Sequence, residues 1–155
     1  MINLKRLAGM EGDIHVKADP VKRGIAFFID SVIAAVIGGV PVFGGILGAL
    51  FMLFRDALPI PLLGGTSPGK RLLGLMVLQD NNRSGSLDYA GSAKRNWMFA
   101  LNLIVFIPIL GWMIAPVIMV AGPLLILIET WRVFSDTRGR RIGDMMAGTT
   151  IVEPV

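Results

Sequence analysis

Three ionisable residues stand inside otherwise uncharged sequence, and that setting limits what they could do. Asp30, Arg55 and Asp56 are the only charges in the forty residues 24–63. In hydrocarbon each would cost about 2.5–3.5 kcal/mol on insertion scales, so they should face a protein interior and be paired. Side chains of this kind mark an ion or proton path, or they fix helix register as a neutral pair. Asn102 offers one more polar group in the second apolar run. Other chemistries lack their parts. The chain has no cysteine, which removes thiolate nucleophiles, disulfides and Cys-based metal sites together. Its single histidine, His15, lies in a polar N-terminal stretch, far from any conspicuous serine. The stretch 64–71 nearly spells a phosphate-binding loop. However, Arg71 stands where a hydroxyl would hold Mg²⁺, and Pro68 removes a backbone donor. No enzyme, cofactor or metal centre is expected.

The elements that must position these charges follow from composition. The 155 residues suit one domain, 54% hydrophobic and 17% charged, against about 25% charged in a soluble chain. Mean hydropathy is +0.68. Residues 97–128 hold no charge at all, a pattern that a bilayer span needs and a soluble helix rarely does. The pI near 10.0, in so apolar a chain, points to an anionic lipid face rather than to nucleic acid.

The expected class is an all-α integral membrane protein with four transmembrane helices in two hairpins, three being the alternative. Residues 1–155 form one membrane domain: a cytoplasmic segment at 1–22, a first hairpin at 23–63, a basic cytoplasmic loop at 64–96, a second hairpin at 97–128 and a cytoplasmic segment at 129–155. The Gly- and Pro-rich stretch 38–45 splits the first hairpin into helices near 23–39 and 45–62. Pro108, Gly111 and Pro116 place the second turn at 108–116, and Pro123 should kink the last helix. Basic residues gather in three places: Lys5, Arg6, Lys17, Lys22 and Arg23; Lys70, Arg71, Arg83, Lys94 and Arg95; and Arg132, Arg138, Arg140 and Arg141. The positive-inside rule puts all three groups in the cytoplasm, which only an even number of crossings per run allows. Trp97, Trp112 and Trp131 then fall at membrane boundaries. Lys5 and Arg6 precede Glu11 and Asp13 rather than an apolar stretch, so no cleavable signal is expected.

Short strand-like stretches at 14–16, 75–77 and 149–152 suggest a small cytoplasmic pairing, with a turn cluster at 80–85. Residues 88–95 read as an interfacial helix whose Lys94 and Arg95 meet headgroups. A hairpin turning near residue 42 sets Asp30 and Arg55 at equal depth, so these two should pair. Arg23 shares a face with Asp30 but leans away from it, and needs another acid.

Three segments together resemble one family. Arg23, Ala26 and Asp30 match the opening R-x-x-A-x-x-x-D of RDD family membrane proteins. Ser67, Gly69, Lys70 and Arg71 begin a stretch similar to its central [TS]-x-G-K-R-x-x-G-L-x-V segment. Arg141, Asp144, Ala147, Gly148 and Thr149 resemble its closing R-x-x-D-x-x-A-G-T segment. The resemblance equates the family's arginine and two aspartates with Arg23, Asp30 and Asp144. It thereby supplies the missing acid: Arg23 should pair with Asp144. It also implies an activity no sharper than a membrane role, with some members similar to components of cation/proton exchange.

Two functions follow. One is transport of cations or protons, as part of an oligomer, through the charges Arg23, Asp30, Arg55, Asp56 and Asp144. The other is a non-catalytic assembly or partner-docking subunit in the cytoplasmic membrane, with the small-residue spacings Gly44 with Gly48 and Gly45 with Ala49 packing helices closely.

Overall fold

The computed structural model describes residues 15–79 and 87–154. Ile14, the Lys5 and Arg6 anchors, Arg83 and the turn cluster at 80–85 lie outside them.

Helix α1 (Pro20–Gly38) begins earlier than the expected residue 23. Asp19 caps it, its carboxylate accepting from the Val21 N–H at 2.8 Å. Pro20 takes the first turn, where a missing donor is harmless. Lys22 and Arg23 therefore become helical. The chain turns at 39–43 and α2 (Gly44–Phe54) packs back on α1. Glycine sets that approach. A Cβ on Gly44 would lie 2.4 Å from the Gly38 carbonyl oxygen, and one on Gly48 2.8 Å from that of Ala34. Gly44 and Gly48, expected to serve helix association, thus pack inside the hairpin, while a Cβ on Gly45 would meet the Phe106 ring.

α2 stops at Phe54 rather than near 62. Pro59 and Pro61 cannot continue it, and Arg55 and Asp56 turn inward just past its end instead of standing within it. Eleven residues span only ~16 Å, about half of a hydrocarbon core of ~30 Å. A short α3 (Pro68–Leu72) leads to strand β2 (Met76–Gln79), then α4 (Tyr89–Arg95), a single 3₁₀ turn at Trp97–Phe99 and α5 (Ala100–Ile104).

The second turn falls at 105–109, ahead of the expected 108–116. Gly111 permits it, since a Cβ there would sit 2.2 Å from the Val105 carbonyl oxygen. Ile109 has a φ of 66°, a strained value for a β-branched residue. Helix α6 (Leu110–Ser135) then runs through Pro116 and Pro123 and past residue 128. Its 26 residues reach ~39 Å. Among the described residues it is the one helix long and apolar enough to cross a membrane. Only Gly111, Glu129 and Val133 of its residues are buried.

The all-α expectation is corrected by an antiparallel sheet of three strands in the order β1-β3-β2, with β1 at His15–Lys17 and β3 at Thr149–Pro154. Val16 lies opposite Glu153, and Val77 opposite Ile151. α7 (Ile142–Met146) immediately precedes β3. Ala18, Leu75 and Ile151 form a small apolar core with Ala26 of α1. The sheet therefore joins the segment before α1, the loop between the two hairpins and the segment after α6.

Candidate functional site

A network of buried charges draws on α1, the residues just after α2, α3, α4, α6 and α7. Asp30 projects from the middle of α1 and is fully buried. One carboxylate oxygen accepts the Gly69 N–H at 2.7 Å, and the other lies 3.2 Å from Arg55 Nη1. The Arg55 guanidinium lies against the stacked pair Phe27 and Phe99, at 5.4 and 5.5 Å from their centroids, where cation–π attraction steadies it. Its Nη2 donates to Asn96 Oδ1 at 3.1 Å. Gly69 can meet Asp30 only because it lacks a side chain. A Cβ would sit 2.1 Å from the Ala26 carbonyl oxygen, on backbone that cannot give way. Gly69→Ala should therefore cost about 1–3 kcal/mol or more, read as a lowered melting temperature in detergent, whereas Gly74→Ala meets no neighbouring atom and suffers only from its positive φ.

Asp56 is the second hub. Lys70 Nζ pairs with one oxygen. Asn96 Nδ2 donates to the other at 3.2 Å, and Arg95 Nε approaches that same oxygen at 3.3 Å. Ser67 starts α3 by accepting from the Lys70 N–H at 3.4 Å, so the sequence that mimics a phosphate loop instead caps a helix turn and aims its lysine inward. Burial pulls the Lys70 ammonium below the usual lysine range, against the opposing pull of Asp56.

Asp144, on α7, is the third hub. Arg23 Nη2 lies 2.8 Å from it, Arg95 Nε 3.0 Å and Arg141 Nη2 3.4 Å, while the Arg141 N–H donates at 3.1 Å. Burial alone would raise this carboxyl, but Arg95, Arg141 and Arg23 together hold it well below the usual carboxylate range. Arg23 also donates to the Gly139 carbonyl, and Thr149 Oγ1 to the Asp144 carbonyl at 3.3 Å. Arg95 joins the second hub to the third. Glu129 of α6 adds a fourth carboxylate, accepting the N–H groups of Ile142 and Gly143 at 3.0 and 3.2 Å.

The structure thus brings Asp30 to Arg55 and Arg23 to Asp144, the two pairings the sequence suggests, and leaves Arg23 and Asp30 unpaired with each other. Gly69, Lys70, Arg141, Asp144 and Thr149 meet in the network. Gly148, with a φ of 60°, shapes the turn into β3, and Arg71 stays exposed outside the network. Arg95 is corrected: it is 1% exposed and central, while its neighbour Lys94 alone remains on the surface. Asn102 takes no part and is exposed. Sequence reasoning also missed Asn96 and Glu129. Glu129 had a legible signal, an acid placed directly after a long uncharged run. Asn96 had none.

The network borders a cavity of about 150 Å³ between α1 and α6, reached by Arg23, Asp30, Arg55, Lys70, Glu129 and Arg141. Among the described residues no group of side chains has the composition of a metal site. The carboxylates are all engaged by cations or backbone N–H groups, so the arrangement clamps chain segments together rather than presenting a free acid or nucleophile. A model described as RDD family matches residues 45–148, which carry Arg55, Asp56, Gly69, Lys70, Arg95, Glu129 and Asp144. Neither a curated protein nor a solved structure matches.

Proposed function

The chain belongs to the RDD family of membrane proteins, and from that premise we propose that it is a non-catalytic membrane subunit whose buried charges lock its cytoplasmic cap onto its helices. The observation that carries this reading is the engagement of the acids. Asp30, Asp56, Asp144 and Glu129 each already accept from two or more donors, so none is left to strip water from a passing cation. What the protein offers outward is α6, an apolar surface suited to lipid and to helices of a partner or of a second copy.

We place both termini on the cytoplasmic side of the cytoplasmic membrane, with four apolar segments as two hairpins. The shared sheet supports this: an odd number of crossings in either run would separate strands that are hydrogen-bonded to one another. α1 and α6 are the long limbs, and α2 and α5 the short returns. The basic groups then face an anionic leaflet. No nucleic acid, cofactor or enzymatic step belongs to this reading.

One observation favours the other reading, movement of a cation or proton: the cavity reaches Asp30 and Glu129. Proteoliposomes decide between them. We expect no cation flux driven by a pH gradient above that of protein-free vesicles, and a photo-crosslinker at Met119 on the exposed face of α6 should capture a second copy or a membrane partner. Flux that Asp30→Asn abolishes would overturn the assembly reading.

A further inference from the structure

We propose that the cleft between α1 and α6 binds one phosphate group, held by Arg23, Arg55, Lys70 and Arg141. The inference relies on membrane placement but not on the assembly reading. Its first support is charge. The network contains five cations (Arg23, Arg55, Lys70, Arg95 and Arg141) against the four carboxylates Asp30, Asp56, Glu129 and Asp144, all buried or nearly so. An uncompensated charge in such a place is costly, and a bound anion removes the imbalance. At the cleft wall four of those cations come together with Asp30 and Glu129, while Asp56 and Asp144 pair with three of them from behind.

The second support is hydrogen bonding. Buried donors normally find acceptors. Here Nε of Arg55 and Nε of Arg141 have none among the described residues, and both residues line the cleft. Behind them Arg95 Nε stands at ion-pair distance from two carboxylates, yet none of the three Arg95 nitrogens makes a hydrogen bond among the described residues. Guanidinium groups in this state suit a multidentate oxyanion, and phosphate offers tetrahedral oxygens to several of them at once.

The third support is space and surroundings. The cleft holds about 150 Å³, far above the ~10–15 Å³ that a single water requires. Its walls also carry apolar side chains, with Phe27 on α1 and Ile126 and Val133 on α6. Clustered cations beside apolar walls between two helices fit a lipid headgroup with its acyl chains. Inorganic phosphate shares the same oxyanion chemistry and would use the same donors.

Gly24 gives a test that leaves every charge in place. It borders the cleft, is exposed, and a Cβ there meets nothing within 4 Å. The full-length protein in neutral detergent is titrated with inorganic phosphate, with phosphatidylglycerol, and with a phosphate-free glycolipid of the same acyl chains. Melting temperature and native mass spectrometry are the readouts. We expect a saturable rise in melting temperature with one bound phosphate-bearing molecule per chain and no response to the glycolipid. Gly24→Leu should weaken that response by about tenfold or more, whereas Gly24→Ala, which leaves the mouth open, should keep it. A response to phosphatidylglycerol alone identifies a headgroup site. A response to inorganic phosphate of equal strength identifies a site for free phosphate. No saturable response to either, or an equal response in Gly24→Leu of unchanged starting stability, overturns the proposal.

Discussion

Replacing Arg95 with methionine is expected to lower the melting temperature of the detergent-solubilised protein by on the order of 10 °C. The reason is position rather than charge number. Arg95 Nε lies between Asp56 at 3.3 Å and Asp144 at 3.0 Å, with no exposure to solvent. Methionine keeps much of the volume but leaves two buried carboxylates with one cation fewer. Removing one partner from a buried pair costs about 3–5 kcal/mol, and each kcal/mol moves the midpoint of a chain this size by roughly 2–4 °C. Lys94→Met, one residue away and exposed, should change stability by no more than about 0.5 kcal/mol. Similar losses from the two substitutions would mean that Arg95 does not bridge the two hubs.

Asp144→Asn should loosen α7 and the three-stranded sheet while leaving the first hairpin in place. Arg23, Arg95 and Arg141 all converge on this carboxylate, and α7 carries it directly into β3. We expect a loss of about 3–5 kcal/mol, with hydrogen exchange faster in α7 and β3 and little altered where α1 packs on α2. Adding Arg23→Met should cost less than it does alone, with a coupling of about 0.5–3 kcal/mol. Additive losses would argue against the pairing. The pH dependence follows from sign. The folded carboxyl lies below the ordinary value of 3.8, so the unfolded chain takes up its proton first on acidification. The stabilisation from this group is complete above that pH and disappears as pH falls from about 3.8 through the folded value. Wild type should therefore show no loss from Asp144 between pH 7 and 5, and a steeper acid limb than Asp144→Asn.

These two expectations bear on why so short a helix as α2 persists. Its C-terminal continuation is replaced by Arg55, paired with Asp30 of α1, and Asp56, paired with Lys70 of α3, both of them also bonded to Asn96 after α4. The ion network takes over where apolar packing ends. Such a network contributes geometry more than net stability, because desolvation offsets much of the attraction. Its consequence is that several chain segments are placed by one set of charges, so a defect at one hub should be felt first in the segments that hub joins.

Much of this was legible from residues alone. The apolar runs announced membrane helices because a bilayer leaves the backbone no partner but itself. The isolated charges announced pairing because hydrocarbon does not solvate them, and hairpin symmetry was enough to match Asp30 with Arg55. The β-branched stretches near residues 16, 77 and 151 were visible as strand-like, although their spacing could not say which would join. Only the tertiary structure decided the rest. Arg95 read as a headgroup residue because Lys94 and Arg95 look alike in sequence, and their opposite fates depend on which face of α4 meets α7, where Gly143 comes so close that its Cβ would lie 2.0 Å from the Arg95 carbonyl oxygen. Lys70 read as an anchor until α3 was seen capped by Ser67 and lying against α1. The close approach of α2 to α1 and the helix start at 110 were set by backbone contacts at Gly44, Gly48 and Gly111, which no local pattern records. Local chemistry determines that a charge inside an apolar run must be paired. Which partner receives it is a long-range fact, settled by packing that links residues more than a hundred positions apart.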